Sequence, residues 1–434
     1  MNSLTISPEW EDAPGVATPE LAATWSRLTI QIGEKYATWV AQDGISRRGV
    51  HVSAYPLAEW IVLNWSSLKW ENRVSVEPRS TWTWESAAPH SWHQRHNLRA
   101  ASAGMTWPDL TLVPEGDTTE IVWRSREPGP ADRGIAYLSD GAVRVSTNDM
   151  LAGLNRFVEA VIERLEESRI QSTLLQREWA ALAALDSEES EFAEAASRLG
   201  LNPFEVDDET ASSIVDLTAH IGNEVLSEFM NSASPNALSN ARTWLTNARV
   251  LAARKSSDAG ARRPSPSRGV FALESSRSAH PWKAGYAAAH VLRRSLTPDS
   301  TEMLRVEGLV AATTGGAKSG GLEGYVHGLP NQTAVLVLPR GLPTTRRRFS
   351  AATALGLTTL APSRSEFILD PTRTDLAQAA RAFAAELIAP AEGIEEYLRA
   401  LGSPTDSAFD AIAKRYGTSA TVVRWQYENQ LAAA

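Results

Sequence analysis

"RRRFSAATALGLTTL", residues 346 to 360, runs from three arginines through a phenylalanine into a helix built mostly of small side chains. The apolar run "TAVLVLP" (333 to 339) precedes it and has strand character. After it comes "DPTRTDLAQAARAFAAELIAP" (370 to 390), where Leu376, Ala380, Phe383 and Leu387 form a helical stripe that Pro390 ends. Upstream, "AHPWKAGYAAAHVLRRSL" (279 to 296) reads as a helix, and "GGLEGYVHGLPNQTAVLVLP" (320 to 339) as two strands around a polar turn. A helix, short strands and further helices predict a small α+β domain over residues 279–434.

The order of residues around Phe349 carries a second signal. A zinc peptidase helix places two histidines four residues apart on one face, and a glutamate beside the first acts as general base on the metal-bound water. The segment resembles the ImmA/IrrE family of zinc metallopeptidases, which reads Arg-Phe-x-x-Ala-His-Glu-Leu-Gly-His. Arg348, Phe349, Ala352, Leu355 and Gly356 match that pattern. In the family's next helix, roughly Glu-x-x-Ala-Asn-x-Phe-Ala-Ala-Glu-Leu-Leu-Met-Pro, the matches are Ala380, Phe383, Ala384, Ala385, Glu386, Leu387 and Pro390. The likeness spans roughly residues 279 to 430. "EESEFAEAASRLGLNPFEVDDE" (188 to 209) is similar to a stretch that precedes this domain in some longer relatives.

The chemistry departs where the packing agrees. Thr353 and Leu357 stand at the histidine positions, Ala354 at the base, and Ala377 or Gln378 where the third ligand would come. Leucine and alanine neither bind a divalent cation nor move a proton, so the resemblance implies a zincin-like pseudo-peptidase domain with no catalytic residues and no cofactor. Thr353 is expected to bond the preceding helical turn, and Leu357 to pack in the core. Working relatives cut helix-turn-helix repressors of mobile elements, stress responses or toxin–antitoxin loci. A domain without its metal implies a regulatory protein that binds such a partner uncut. Arg346, Arg347 and Arg348, with Arg340, would flank the cleft and hold an acidic segment of that partner.

Eleven of the fifteen tryptophans lie before residue 124, marking the N-terminal region as distinct. "PELAATWSRLTIQIGEKYATWV" and "YPLAEWIVLNWSSLKWE" have helical spacing; "DLTLVPEGDTTEIVWRS" reads as a hairpin, and "GIAYLSDGAVRVS" as another around Ser139-Asp140-Gly141. Residues 1–147 are therefore expected to form an α+β domain of unassigned role. From Thr147 a helical domain is expected over 148–253, opening on an amphipathic helix capped at Thr147 or Asn148, with Leu151, Leu154, Phe157, Val161 and Leu165 as its stripe. "RKSSDAGARRPSPSRG", 254–269, reads as a basic Ser/Pro/Gly linker.

Two other clusters carry possible chemistry. "HSWHQRH" puts His90, His93 and His96 at three-residue spacing, a candidate metal set, although ordinary packing in a Trp-rich region is the alternative and no carboxylate or fourth ligand is evident nearby. "SAFDAIAKRYGTSATVVRWQYENQ" has the form of a helix-turn-helix. Phe409, Ile412 and Ala413 would pack its first helix, Gly417 would turn and Ser419 would cap the second. Arg424, Gln426 and Asn429 would then be exposed toward DNA, whereas in the resembling family such a pair is scaffold. "TTGGAKSGG" fails the phosphate-loop spacing, and no Gly-x-Ser-x-Gly elbow occurs.

Composition bounds these readings. The net charge of −9 argues against a polyanion binder along the whole chain, and the absence of cysteine excludes disulfides, thiolate metal sites and a cysteine nucleophile. The N-terminus lacks the basic and apolar regions of a signal peptide, and no run approaches a membrane span, so a cytoplasmic location is the expectation.

Overall fold

The computed structural model describes residues 3–13, 15–73, 88–129, 134–258, 280–297, 299–316, 319–328, 333–369 and 371–432. It divides into two compact units, Met1–Asp207 and Asp208–Ala434. The helices read between 148 and 253 are shared between these units. The basic linker lies outside the described residues from 259 onward.

In the first unit, β1 (Leu4–Trp10) pairs antiparallel with β2 (Trp25–Ile32) after a five-residue helix α1 (Pro19–Ala23); β2 also pairs with β3 (Lys35–Tyr36) and with β6 (Val50–Ser53). The expected helix after residue 19 therefore stops at Ala23, and the rest is strand. Trp25, Leu28 and Ile32 satisfy a helical spacing, but Ser26, Leu28, Ile30 and Ile32 alternate and all four are buried. Thr29, Ile30 and Ile32 are β-branched, which tips the choice toward the pleated surface.

A second small sheet joins β4 (Val40–Gln42), β5 (Ile45–Arg47) and β9 (Ala136–Tyr137). Helices α2 (Tyr55–Leu63), α3 (Trp65–Trp70) and α4 (His90–His96) lead to the expected hairpin, β7 (Asp109–Glu115) with β8 (Thr118–Arg124). The expected second hairpin does not form. Its two arms enter different sheets, because β10 (Gly141–Ser146) pairs with β8 while β9 pairs with β4. Trp123 fixes this outcome. Its Nε1 donates to Ser139 Oγ at 2.9 Å, its ring crowds Gly141, and Asp140 accepts from the Ser125 amide.

Helix α5 (Thr147–Glu167) is the core helix of this unit, and its five predicted stripe residues are all buried with β1, β2 and α2. Its cap is Ser146, whose hydroxyl accepts from the Asp149 amide; Thr147 instead donates to the Gly116 carbonyl at 2.8 Å. Helices α6 (Leu174–Ala184) and α7 (Ser187–Arg198) both begin with capping boxes, from Thr173 and Asp186.

The second unit begins with α8 (Asp208–His220), α9 (Asn223–Ser232) and α10 (Leu238–Asp258), followed by α11 (Pro281–Leu296). Its sheet has the order β11 (Ala311–Thr314), β13 (Val335–Leu338), β12 (Tyr325–His327), β14 (Glu366–Ile368). The β11–β13 pair is parallel, and the β12–β13 and β12–β14 pairs are antiparallel. Helix α10 lies against β12 and β13. The buried residues of α11, α12 (Thr344–Leu360) and α13 (Asp375–Ile388) share one core with Val326, Leu336, Leu338 and Phe367. Helices α14 (Ala391–Leu401), α15 (Asp406–Tyr416) and α16 (Ala420–Gln426) complete the unit, and Tyr427–Leu431 extends α16 as a π turn. The chain is thus mixed α+β, as expected.

A Cβ on Gly141 would fall inside the Trp123 indole, which is buried and cannot swing away. Gly141→Ala is expected to cost about 1–3 kcal/mol by overpacking. Urea unfolding checks this, through a lowered midpoint with an unchanged slope.

Candidate functional site

The centre of the second unit is three helices at near-backbone contact. A Cβ on Gly285 of α11 would run into the Ala379 carbonyl and lie 3.0 Å from the Phe383 amide of α13. One on Gly356 of α12 would lie 2.9 Å from the Phe383 ring and 3.1 Å from the Ala380 carbonyl. Phe383 itself is fully buried. Small residues on facing helices let the backbones approach this closely, and Ala351, Ala352, Ala379 and Ala380 are all buried with them.

The three positions that decide the chemistry belong to this packing. Ala354 has no exposed surface, and Leu357 is buried in the same core, as its apolar side chain predicts. Fully burying a leucine contributes about 1.5–3 kcal/mol. Thr353 is half-buried, and its hydroxyl donates to the Phe349 carbonyl at 2.9 Å, closing on the preceding turn. On α13, Ala377 is half-buried and Gln378 donates to the Arg373 carbonyl. Here one hydroxyl, already engaged, stands in place of two imidazoles, and no carboxylate follows on α13 where the third ligand would come. This donor set does not fit zinc. Among the described residues no group of three His, Asp or Glu side chains gathers in a way that could hold a metal ion.

The arginines at the start of α12 divide. Arg348 is buried; its Nη1 donates to Glu307 at 3.0 Å and its Nη2 to the Leu304 carbonyl, so it braces the fold and is not presented to a partner. The cause is helical geometry, since Arg348 shares a face with Ala351, Ala352 and Leu355. Arg346 is exposed and pairs with Glu323 at 2.6 Å, while Arg347 and Arg340 are exposed. A second buried guanidinium, Arg293 of α11, was not singled out in the sequence. It donates to the carbonyls of Leu387, Ser300 and Glu302, and burial lowers its pKa. The run "HVLRRSL" gives no sign of which arginine turns inward.

The C-terminal helix pair has the expected local form. Phe409, Ile412 and Ala413 are buried, Gly417 turns in the left-handed region at φ 64°, and Ser419 accepts from the Val422 amide. Its proposed base-reading face does not hold together. Gln426 is buried, donating to Glu386 at 2.6 Å and to the Ala389 carbonyl at 3.1 Å. Glu386 is a buried carboxylate that also accepts from Gln430 at 2.9 Å, so Gln426 serves α13 and cannot reach a base. Arg424 is exposed but pairs with Asp406 at 2.7 Å, and Asn429 is exposed on the π turn.

Residues 311–425 match the family model described as Peptidase_M78, the IrrE N-terminal-like domain. No curated protein matches the chain. The second unit therefore carries an ImmA/IrrE-type domain that starts at β11 and ends within α16. Helix α11, which packs on it through Gly285, lies ahead of the matched span.

In the first unit, the three histidines of α4 part company. His96 is fully buried and stacked on Trp92, with ring centroids 4.2 Å apart. Its Nδ1 lies 3.0 Å from the Leu112 carbonyl and its Nε2 3.1 Å from Glu71, so both nitrogens are engaged. His90 is exposed and His93 half-buried, and both face a cavity on another side of the helix. The carboxylate missing near these histidines in sequence is Glu71, brought in by the fold from the end of α3. Arg95 Nε also donates to Glu71, at 2.7 Å.

Burial alone would push the Glu71 carboxyl up, but the donors of Arg95 and His96 outweigh it and hold the group below its ordinary value of 4.5. A depressed carboxyl stabilises the fold above the unfolded value and loses that contribution as pH falls through the lower folded one. Wild-type stability is therefore expected to decline as pH drops below about 4.5. In Glu71→Gln the decline should be shallower, from a baseline at pH 7 lower by about 1–3 kcal/mol. Urea titrations at a series of pH values measure both.

Proposed function

We propose that the ImmA/IrrE-type domain of this chain is a non-catalytic docking module, which holds a protein partner without cutting it. The observation that carries this reading is the fate of the motif positions. Ala354 and Leu357 are built into the core that Gly356 and Phe383 organise, so the helix is kept for packing while its donors are gone. A helix-turn-helix repressor or a toxin–antitoxin component is the partner class the family resemblance suggests. The exposed cations ahead of and within the first turn of α12, Arg340 and Arg347 with Arg346, suit an acidic segment of that partner. Arg348 is not among them. The C-terminal helix pair supports the domain as scaffold, because Gln426 is spent on Glu386.

The test is to capture interacting polypeptides on the full chain and weigh them intact. The expected result is a full-length acidic partner whose retention falls at least tenfold with Arg340→Glu and Arg347→Glu together. A partner recovered in two pieces, or retention unaffected by the charge reversal, would contradict the reading.

A further inference from the structure

The first unit contains an open cavity of about 910 Å³, walled by α4, the 3-10 turn Leu98–Ala101 and strands β7 and β8. His90, His93, Gln94 and Asn97 stand at i, i+3, i+4 and i+7, so one whole polar face of α4 and its C-cap looks into it. Trp92 and His96 hold the opposite face in the protein. Across the cavity, Arg124 of β8 stands directly opposite Asp109 of β7 in register, and Arg99 comes from the 3-10 turn.

The balance of charge favours an anion. Arg99 and Arg124 are exposed and line the cavity, as do His90 and His93. Among the described lining residues Asp109 is the one carboxylate, and it accepts from Asn97 Nδ2 at 2.7 Å. Arg124 also lies in the field of Asp140. The rim is held in a costly shape. Ser102, which lines the cavity, sits at φ 43°, ψ −115°, a region nearly reserved for glycine, and Ala103 follows at φ 52°. The Ser102 carbonyl keeps this turn in place by accepting from the Met105 amide at 3.0 Å and from Trp107 Nε1 at 3.3 Å. Backbone strain at a cavity wall, fixed by buried tryptophan, is the pattern of a preorganised binding loop.

We propose that this cavity binds a phosphate-bearing small molecule of nucleotide size. Guanidinium forks recognise phosphate in bidentate fashion, and the side-chain amide of Gln94 offers a donor and an acceptor for the edge of a base, while Asn97 is engaged by Asp109, Thr111 and the Arg99 amide. The volume is far larger than inorganic phosphate needs and lies in the range of small-molecule sites.

Calorimetric titration of the full chain with ATP tests this. Saturable binding is expected, with affinity falling at least tenfold in Arg99→Ala and in Arg124→Ala separately, each unfolding at the wild-type midpoint because both side chains are exposed. Arg399→Ala, which alters an exposed pair in the other unit, should bind as wild type. Inorganic phosphate should bind far more weakly than ATP. Gln94→Ala serves as a further lining variant if either arginine change unfolds the protein, and should also weaken ATP. Absence of saturable ATP binding would overturn the proposal, as would full affinity in the lining variants. Binding of single-stranded oligonucleotide that ATP fails to displace would overturn it as well.

Discussion

The architecture of the second unit depends on how closely α13 lies to its two neighbours. The glycines at 285 and 356 leave no room for a Cβ, and Phe383 fills the space between the helices. Once those backbones meet, every side chain on the inner faces must be small or shaped to the gap. Ala352, Ala354, Leu357, Ala380 and Ala384 meet that requirement, and all are buried. This constraint is independent of metal chemistry. It explains how the Phe, Ala, Leu-Gly and Phe-Ala-Ala frame can persist on a helix whose ligand positions hold Thr353, Ala354 and Leu357. At these three positions the side chains pack or close a helical turn.

Around that core, inward-turned side chains donate to main-chain carbonyls. Arg293, Arg348, Tyr397 and Tyr416 all donate to main-chain oxygens between Ser300 and Leu304. One short connection after α11 is thereby tied to α12, α14 and α15. Glu386 is held by Gln426 and Gln430 in the same spirit. Leaving such a buried group without its partner costs about 1–3 kcal/mol, more for a charged one, so these contacts support the fold.

The sequence carried the helices of the second unit clearly, because Leu376, Ala380, Phe383 and Leu387 keep one period and Pro390 ends it. The strand at Trp25–Ile32 was harder to read, since its apolar residues fit both a period of two and a spacing of three to four. Burial of Ser26 with Leu28 and Ile30 decides it, and burial is a tertiary fact. The pairing of β10 with β8 depends on the indole of Trp123, eighteen residues before Gly141, and no local turn signal reveals it. The sites follow the same rule. Gly-Thr-Ser around 417–419 announces the helix turn, but Gln426 faces inward because of Glu386, forty residues earlier. His96 is likewise separated from His90 and His93 by a carboxylate twenty-five residues away. Spacing along a helix tells which residues share a face. It does not tell which face the fold will cover.

We propose that the ImmA/IrrE-type domain keeps its fold without a catalytic metal. A ligand that binds only the folded state raises its stability, and tight structural or catalytic zinc does so by several kcal/mol. Thermal unfolding of the full chain, measured after exhaustive chelation and again with added zinc, tests the claim most directly. The same midpoint is expected in both conditions; a midpoint that rises with zinc and falls with chelator would contradict a metal-free fold.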